Sequence, residues 1–429
     1  MAETEKRKNR WTGTPSNTAS VVRRVALVIC STAAPLLADE PRSPSPQVRT
    51  YPMVTIAWSG SAPGLSGQRR GDQRLRSRHR GRILQRGLEE DNRQKPGRYP
   101  RGFLKQAWSI DIDSMTPRWS RLPDFPGAPR QGLSAALVKD AFYFWGGFSY
   151  TEPYTYDDGW RLSKQGESWK WEPLPRLSWR LTTVAMSVSG TKIYAFGGAD
   201  YNSLAFFTEA DRAGRTKRLG ARLFVHDTED AGTGWKELPP CPGTPRWVHA
   251  MALVEDKLYV IGGASGNTVR DGVNYGYCTI VDNWSFDTRT EQWARLRDLP
   301  VSSGNFPRGT NLVFKQRYII FPGGHQYGYV LNPDGTVREQ YGVASQANPA
   351  SGLHNDVFVY DTRTDLFGTA NALPIDNNLP MTVVHGDQIY LLGGETGDGL
   401  VDGTYYGHHP DLFLKGTMEI SRQTETETR

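Results

Sequence analysis

Five stretches of the chain share one design and decide the fold: AFYFWGG (141–147), KIYAFGG (192–198), KLYVIGG (257–263), YIIFPGG (318–324) and QIYLLGG (388–394). In each, an alternating apolar run of strand length ends in a glycine pair. A short polar turn and another apolar strand precede each run, which is the pattern of a tight β-hairpin. Glycine leaves room for close backbone approach where the second strand ends. The pairs are Gly146 and Gly147, Gly197 and Gly198, Gly262 and Gly263, Gly323 and Gly324, and Gly393 and Gly394.

A third strand, a turn and usually a fourth strand with an aromatic residue follow each glycine pair after a loop of variable length. Three units share a finer signature, which reads Ile112–Asp113, Thr116, Trp119, then Phe286–Asp287, Thr290, Trp293, then Tyr360–Asp361, Thr364, Phe367. Asp and Thr beside a hairpin turn can hydrogen-bond exposed backbone amides. We expect the downstream aromatic residue to pack between neighbouring sheets.

These units resemble kelch repeats, each of which forms a four-stranded blade of a β-propeller. The resemblance covers about residues 105–420 and implies an all-β propeller, for which six blades is the best count. Residues 105–122 supply only the last two strands of the first blade, so that blade is expected to be incomplete. The last unit lacks a fourth strand, and residues 54–58 (VTIAW) are expected to close the ring, because an open ring exposes unpaired strand edges.

Charge is distributed unevenly along the 429 residues, whose net charge is +6. Residues 1–100 carry 19 Lys and Arg against 8 Asp and Glu, and residues 101–429 carry 32 against 37. The repeat region therefore lacks the basic excess that binding to a phosphate backbone needs, and we expect no nucleic-acid partner. No apolar run reaches the length of a transmembrane helix, so no membrane span is expected.

The N-terminal part divides into two segments. Residues 1–40 form a leader in which 21–38 has the layout of a secretory signal, with an apolar stretch between two arginines and an acidic pair. This layout predicts a periplasmic or secreted protein; a cytoplasmic protein with a chance apolar run is the alternative. Residues 41–104 are basic, with eleven arginines between 69 and 101, and are expected to be disordered or read in the wrong frame. Residues 421–429 form a polar tail.

The loops after the glycine pairs are expected on one face of the propeller, and they are long: 148–159, 199–221, 264–282, 325–355 and 395–409. Loops on a rigid scaffold are where binding residues usually lie. Exposed aromatic residues such as Tyr201, Tyr275, Tyr277 and Tyr327, with neighbouring amides, suit stacking on sugar rings or peptides. The alternative is that these aromatic residues only cover the face and pack against each other.

An arginine precedes the first strand of four successive units: Arg130, Arg180, Arg246 and Arg308. Their guanidinium groups are expected to converge around the mouth of the central channel, where they could hold a carboxylate, a sulfate or another anion. The alternative is that each arginine bonds carbonyl groups of the adjacent connection.

Catalytic signals are weak, because the eight histidines are scattered and the motifs of zinc proteases and α/β-hydrolases are absent. No metal or other cofactor is expected. The kelch resemblance extends to galactose oxidase, whose copper ligands have no matching set here, and to the sialic acid mutarotases. Sugar mutarotation needs only an acid/base pair, for which His354, Glu395, Asp398 and the arginines are candidates. Cys241 and Cys278 are expected as free thiols, with a disulfide between them as the alternative.

Three functions follow from this sequence. The first is an exported, non-catalytic binding module with a carbohydrate or protein ligand on the long-loop face. The second is a sugar mutarotase or epimerase of the sialic acid mutarotase type. The third is an intracellular protein–protein adaptor. The chain is expected to be a monomer.

Overall fold

The computed structural model describes the chain in fourteen ranges, and structural statements below concern these residues. They are 52–59, 75–79, 82–86, 105–112, 118–149, 153–178, 180–200, 220–266, 268–300, 303–304, 306–339, 352–401, 404–408 and 412–422. Among them, no helix is long and apolar enough to cross a membrane. The predicted leader (1–40) and most of the polar tail lie outside the described residues.

Successive groups of strands form six sheets, numbered here 1 to 6 in chain order, and, apart from strands within their loops, all their strands pair antiparallel except for one parallel edge strand in sheet 6. The first strand is β1 (Val54–Ser59), and sheet 1 then contains β2 (Leu75–His79), β3 (Arg82–Arg86), β4 (Ala107–Asp111) and β5 (Trp119–Leu122). Sheet 2 contains β6 (Ser134–Val138), β7 (Ala141–Trp145), β8 (Gly159–Gln165) and β9 (Ser168–Leu174). Sheet 3 contains β10 (Ala185–Ser189), β11 (Lys192–Phe196), β12 (Leu223–Asp227) and β13 (Lys236–Leu238), with a short 3-10 helix at Ala231–Thr233.

The later sheets carry additional strands in their loops. Sheet 4 contains β14 (Ala250–Val254), β15 (Lys257–Ile261), the loop strands β16 (Thr268–Arg270), β17 (Val273–Gly276) and β18 (Thr279–Ile280), then β19 (Asn283–Asp287) and β20 (Gln292–Leu296). Sheet 5 follows β21 (Arg308–Asn311) and contains β22 (Val313–Phe314), β23 (Tyr318–His325), the loop strands β24 (Tyr329–Leu331) and β25 (Val337–Glu339), then β26 (Leu353–Asp361) and β27 (Leu366–Ala370). Sheet 6 contains β28 (Met381–His385), β29 (Gln388–Leu392), the loop strands β30 (Thr396–Val401) and β31 (Thr404–His408), then β32 (Phe413–Ile420).

The glycine pairs of sheets 2 to 5 each connect their sheet to the next one. The second glycine donates its N–H to a carbonyl of the following sheet, as Gly147 does to Leu181 at 2.9 Å and Gly324 does to Asn377 at 2.9 Å. A Cβ on the first glycine would collide with that same carbonyl, since at Gly146 it would lie 2.1 Å from the Leu181 oxygen. These contacts give the physical reason for glycine at both positions, and the predicted all-β fold is confirmed.

The aromatic residues of the fourth strands also join neighbouring sheets, as expected. The indole N–H of Trp171 in sheet 2 donates to the Pro123 carbonyl at the end of sheet 1, at 3.0 Å. Trp293 in sheet 4 donates in the same way to the Pro239 carbonyl of sheet 3, at 2.8 Å. Apolar clusters fill the spaces between the sheets, so the core is divided among the interfaces rather than gathered at one centre.

The N-terminal strand β1 supplies the outer strand of sheet 6, at the place where a closing strand is expected. It pairs antiparallel with β32, from Val54 opposite Ile420 to Ser59 opposite Lys415. Trp58 donates its indole N–H to the Asn371 carbonyl of sheet 5, at 3.2 Å. Val54 and Ile56 are buried while Thr55 is exposed, so alternate side chains of β1 face the core.

Part of the basic segment 41–104 differs from the expectation of disorder. Strands β2 and β3 form a hairpin that pairs with β4, and this gives sheet 1 four strands instead of two. The expectation rested on the lack of aliphatic side chains, whereas pairing with β4 needs only backbone N–H and C=O groups. The remaining residues between 60 and 104 lie outside the described part of the chain.

Candidate functional site

Equivalent positions at one end of the sheets are defined by a repeated backbone bridge. The residue that follows each glycine pair, called here the rim position, pairs with a residue that leads into the same sheet. The bridges are Gln131 with Phe148, Thr182 with Ala199, Trp247 with Ala264, Gly304 with His325, and Asn378 with Glu395. Of these five rim positions, only those of sheets 5 and 6 carry a protonatable side chain, His325 and Glu395.

The residue before each bridge partner is called here the entry position, and two of the predicted arginines occupy it. Arg246 is buried and donates to the carbonyls of Thr244 and Gly262, and its Nη2 lies 2.6 Å from the Asp282 carboxylate. Arg130 is buried in the same manner and pairs with Asp158. Protein groups therefore occupy both guanidinium groups, which is the structural role that the sequence left as the alternative.

The other two arginines do not share that register. The entry positions of sheets 3, 5 and 6 are held by Leu181, Ser303 and Asn377, whose carbonyls accept the N–H of a glycine pair. Arg180 precedes the entry position by one residue and is exposed, and Arg308 begins β21, five residues beyond it. The expected ring of four equivalent arginines is therefore not formed. The regular spacing in sequence misled because the connections between sheets differ in length.

An aromatic run connects the loops of sheets 4 and 5. The ring centroids of Trp247 and Tyr277 are 5.3 Å apart, those of Tyr277 and Tyr327 5.8 Å, and those of Tyr327 and His325 4.5 Å. Trp247 is buried, whereas Tyr277 and Tyr327 are partly exposed. This run contains the predicted Tyr277 and Tyr327, and the structure adds Trp247 to them.

The predicted Tyr275 lies in a separate wall built from the loop strands. Its ring packs edge-on against Tyr329, with centroids 5.0 Å apart. Strand β18 of sheet 4 pairs in parallel with β24 of sheet 5, and Arg270 donates to the Gly335 carbonyl at 2.9 Å. These contacts tie the two loops together. The predicted Tyr201 lies outside the described residues.

His354 is buried at the start of β26 beside the rim of sheet 5. Its Nε2 lies 2.8 Å from the Ser303 hydroxyl, and its Nδ1 lies 3.5 Å from the Asp356 carboxylate. Burial lowers the pKa of His354 to about 4, and the neighbouring His325 adds to that effect, so the imidazole is neutral at pH 7. Burial likewise lowers the pKa of His325 to about 4. Two neutral imidazoles therefore stand at this rim.

Glu395 is half-buried, and its backbone is fixed from both sides. Its N–H donates to the Asn378 carbonyl at 2.9 Å, and Asn377 holds the preceding glycine pair by donating to the Gly393 carbonyl at 2.8 Å. The structure thus brings Glu395 to the rim next to the sheet that carries His325 and His354. Asp398 lies in the loop strand β30, beyond Glu395.

Cys241 and Cys278 are both buried free thiols, as the sequence favoured. Burial raises the pKa of the Cys241 thiol to about 11, so this thiol is protonated and weakly reactive. In the described part of the chain, no group of three His, Cys, Asp or Glu side chains is placed to hold a metal ion.

Six sheets in sequence, of which sheets 2 to 6 are joined by glycine pairs and the last is completed by the N-terminal strand, define a β-propeller. The repeats make the chain a kelch-repeat protein. No protein-family model matches it. An N-acetylneuraminate epimerase of Pasteurella multocida is 24% identical over 323 residues, which cover 66% of this chain and 78% of that protein. An N-acetylneuraminate epimerase of Haemophilus influenzae is 22% identical over 318 residues, which cover 68% and 80%.

Two further comparisons support the fold. Kelch-like protein 35 of Mus musculus is 23% identical over 325 residues, which cover 75% of this chain and 44% of that protein. The solved structure of YjhT matches with a TM-score of 0.55 and 14% identity, over 82% of this chain and 97% of that one.

Proposed function

We propose that the protein is a sugar epimerase or mutarotase that acts on N-acetylneuraminate or a related sugar at the rim of sheets 5 and 6. The observation that carries this proposal is that His325 and Glu395 occupy the rim positions of the neighbouring sheets 5 and 6, and that His325 belongs to the aromatic run. The relatives that match about four fifths of their own length are N-acetylneuraminate epimerases, which supports the same substrate class.

Anomer exchange requires few catalytic groups from the protein. To exchange anomers, a sugar ring must open and close, which moves one proton from the anomeric hydroxyl and another to the ring oxygen. Tyr277 and Tyr327 offer partly exposed aromatic faces for the apolar side of a pyranose ring. Glu395 offers a half-buried carboxylate at the rim. No redox group or strong nucleophile is required.

The test is the rate of anomer exchange of N-acetylneuraminate, measured by NMR exchange spectroscopy with and without the purified chain. Catalysis predicts a rate increase proportional to protein concentration. Replacing Tyr277 and Tyr327 by alanine should raise KM, while V273A, at the exposed tip of the β16–β17 hairpin, is the control and should change nothing. Saturable sugar binding without faster exchange would overturn the proposal and leave the non-catalytic carbohydrate-binding module.

We also propose that the protein is exported, on the signal-like layout of residues 21–38. N-terminal sequencing of the protein from its own fractionated cells tests this directly. A start at or near Asp39 in the exported fraction is the expected result. An intact Met1 or Ala2 in the cytoplasm would contradict export and favour the adaptor function.

A further inference from the structure

Three aspartates occupy equivalent positions in sheets 2, 4 and 5, as the pairing register of the second and third strands shows. Residue Ala141 pairs with Ser163, Lys257 with Asp287, and Tyr318 with Asp361, each at the start of the second strand. Five residues before the partner in each third strand stand Asp158, Asp282 and Asp356.

In sheets 2 and 4 this aspartate is held by a buried arginine and by a tryptophan. Asp282 Oδ2 lies 2.6 Å from Arg246 and accepts the Trp284 indole N–H at 2.7 Å. Asp158 receives the same two kinds of donor, from Arg130 and Trp160. Burial alone would raise the pKa of Asp282, but the Arg246 charge and these hydrogen bonds hold it below the value of a free aspartate. Both aspartates are therefore held in the ionised form by these donors and have a structural role.

Sheet 5 has neither the arginine nor the tryptophan that donates to this aspartate in sheets 2 and 4. The entry position holds Ser303 instead of arginine, and the position of the tryptophan holds Phe358, which has no N–H to donate. The exposed fraction of the Asp356 side chain is 41%, against 19% for Asp158 and 1% for Asp282. Asp356 is thus the most exposed of the three aspartates.

The surroundings of Asp356 favour its protonated form. Its carboxyl group lies 3.5 Å from Nδ1 of His354, a nitrogen that has no hydrogen-bond partner, and this imidazole is neutral at pH 7. Burial raises the pKa of Asp356, and the negative charge of Asp376 raises it further. A carboxyl group with a raised pKa beside an exposed rim is the kind of group that transfers protons in enzyme sites.

We propose that Asp356 is the catalytic acid of this site, an assignment that rests on the proposed sugar epimerase or mutarotase function. The Asp356 carboxyl group donates its proton to the ring oxygen of the sugar, and the bond between that oxygen and the anomeric carbon breaks. The anomeric hydroxyl loses its proton to Glu395 as its oxygen becomes a carbonyl. After rotation about the adjacent carbon–carbon bond, the two protons return and the ring closes with the other configuration.

Ser303 and His354 are positioning residues in this scheme. The Ser303 hydroxyl bonds Nε2 of His354, and Nδ1 of the same imidazole lies 3.5 Å from the Asp356 carboxyl group, whose counterparts in sheets 2 and 4 pair with a guanidinium group. A serine at the entry position therefore keeps the carboxyl group free of an ion pair. Sheet 4 shows the opposite arrangement, with Arg246 at the entry position and Ile280 at the position of His354.

The first test is D356N, compared with D334N, which makes the same change in the exposed turn between β24 and β25. We expect kcat for anomer exchange of N-acetylneuraminate to fall about 100- to 10,000-fold in D356N, with KM changed less than about threefold. D334N should keep the full rate. Exchange that persists unchanged in D356N would overturn the assignment while leaving the proposed function intact.

The second test rebuilds the arrangement of sheet 4 with the double variant S303R/H354I. The new guanidinium should pair with Asp356 and lower its pKa, which moves the alkaline limb of the rate profile to lower pH and reduces the rate at neutral pH. An unchanged pH profile in a folded double variant would contradict the role of the missing arginine.

Direct titration separates this inference from the proposed function. With ¹³C-labelled aspartate, the carboxyl signal that disappears in D356N should titrate at a higher pH than free aspartate and shift when N-acetylneuraminate is added. If the wild-type chain does not accelerate exchange but this signal shifts, the proposed function fails and the ligand contact of Asp356 stands. A signal that titrates at the pH of free aspartate and does not shift when N-acetylneuraminate is added would overturn the assignment.

Discussion

Arg246 and Asp282 form an ion pair in sheet 4 from which solvent is almost completely excluded. The exposed fractions of the two side chains are 0% and 1%, and Nη2 lies 2.6 Å from the carboxylate oxygen. Arg246 also donates to the backbone carbonyls of Gly262, in the glycine pair, and of Asp282, just before the third strand. The pair therefore fixes the rim end of sheet 4.

Removing the guanidinium group should be costly, because it leaves a buried carboxylate without its partner. We expect R246M to lower the free energy of unfolding by about 3–5 kcal/mol, measured by urea denaturation. R222M is the matched control, since Arg222 makes a partly exposed ion pair with Glu237 and its loss should cost at most about 1 kcal/mol. Equal losses in the two variants would contradict the structural role of Arg246.

The glycine pairs offer a second comparison, between two glycines with similar backbone angles. Gly146 has φ of 67° and faces the Leu181 carbonyl, whereas Gly190 has φ of 59° and open space around it. G190A should cost about 1–2 kcal/mol for the left-handed backbone alone. G146A should cost clearly more, because its Cβ would lie 2.1 Å from the carbonyl oxygen. Similar unfolding midpoints for the two variants would show that the contact between sheets is not limiting.

Much of the fold is predictable from local patterns, because each unit repeats the same turns and contacts. Glycine pairs, fourth-strand aromatic residues and the Asp287 turn all depend on neighbours within one unit or the next. The arginine register was not predictable in this way. Arg180 and Arg308 match Arg130 in residue type, but equivalence is set by which carbonyl meets a glycine pair, and that position is Leu181 in one sheet and Ser303 in another.

The candidate acid illustrates what could have been found from sequence and was not. Asp356 stands five residues before Asp361, as Asp282 stands five residues before Asp287. Alignment of the two units would have shown an aspartate kept while its arginine is lost. The distance of 3.5 Å to His354, by contrast, depends on how the chain between Ser303 and β26 folds back, and no local pattern records that.

Buried histidines make the stability of the protein sensitive to mild acid. Burial lowers the pKa of His249 to about 3, and those of His325 and His354 to about 4. The unfolded chain takes up protons at these residues from about pH 6.5 downward, whereas the folded chain does not, so unfolding gains protons and is favoured as pH falls. For each histidine, the free energy of unfolding falls by up to about 1.4 kcal/mol per pH unit as the pH decreases.

The measurement is the free energy of unfolding by urea at pH 7.5, 6.0 and 5.0, above the range in which most carboxylates titrate. Neither ring nitrogen of His249 has a hydrogen-bond partner, so H249L removes no hydrogen bond. It should reduce the slope of stability against pH by about one third, as one of three such histidines. Stability that does not change from pH 7.5 to 5.0 would contradict the burial of these side chains.

The closing strand β1 should contribute to stability through alternate residues only. Ile56 is buried between sheets 5 and 6, and I56A should lower the free energy of unfolding by about 2–5 kcal/mol. T55A is the control in the same strand, because Thr55 is exposed and its replacement should cost less than about 0.5 kcal/mol.

Amide hydrogen exchange tests more specifically whether β1 stabilises sheet 6. Because β32 is paired with β1 on one side and β29 on the other, I56A should speed exchange at the β32 amides that donate to β1, while the amides of sheet 3 keep their protection. Faster exchange throughout all six sheets would mean that β1 supports the whole propeller rather than sheet 6, and unchanged exchange in β32 would show that the ring does not depend on this strand for its closure.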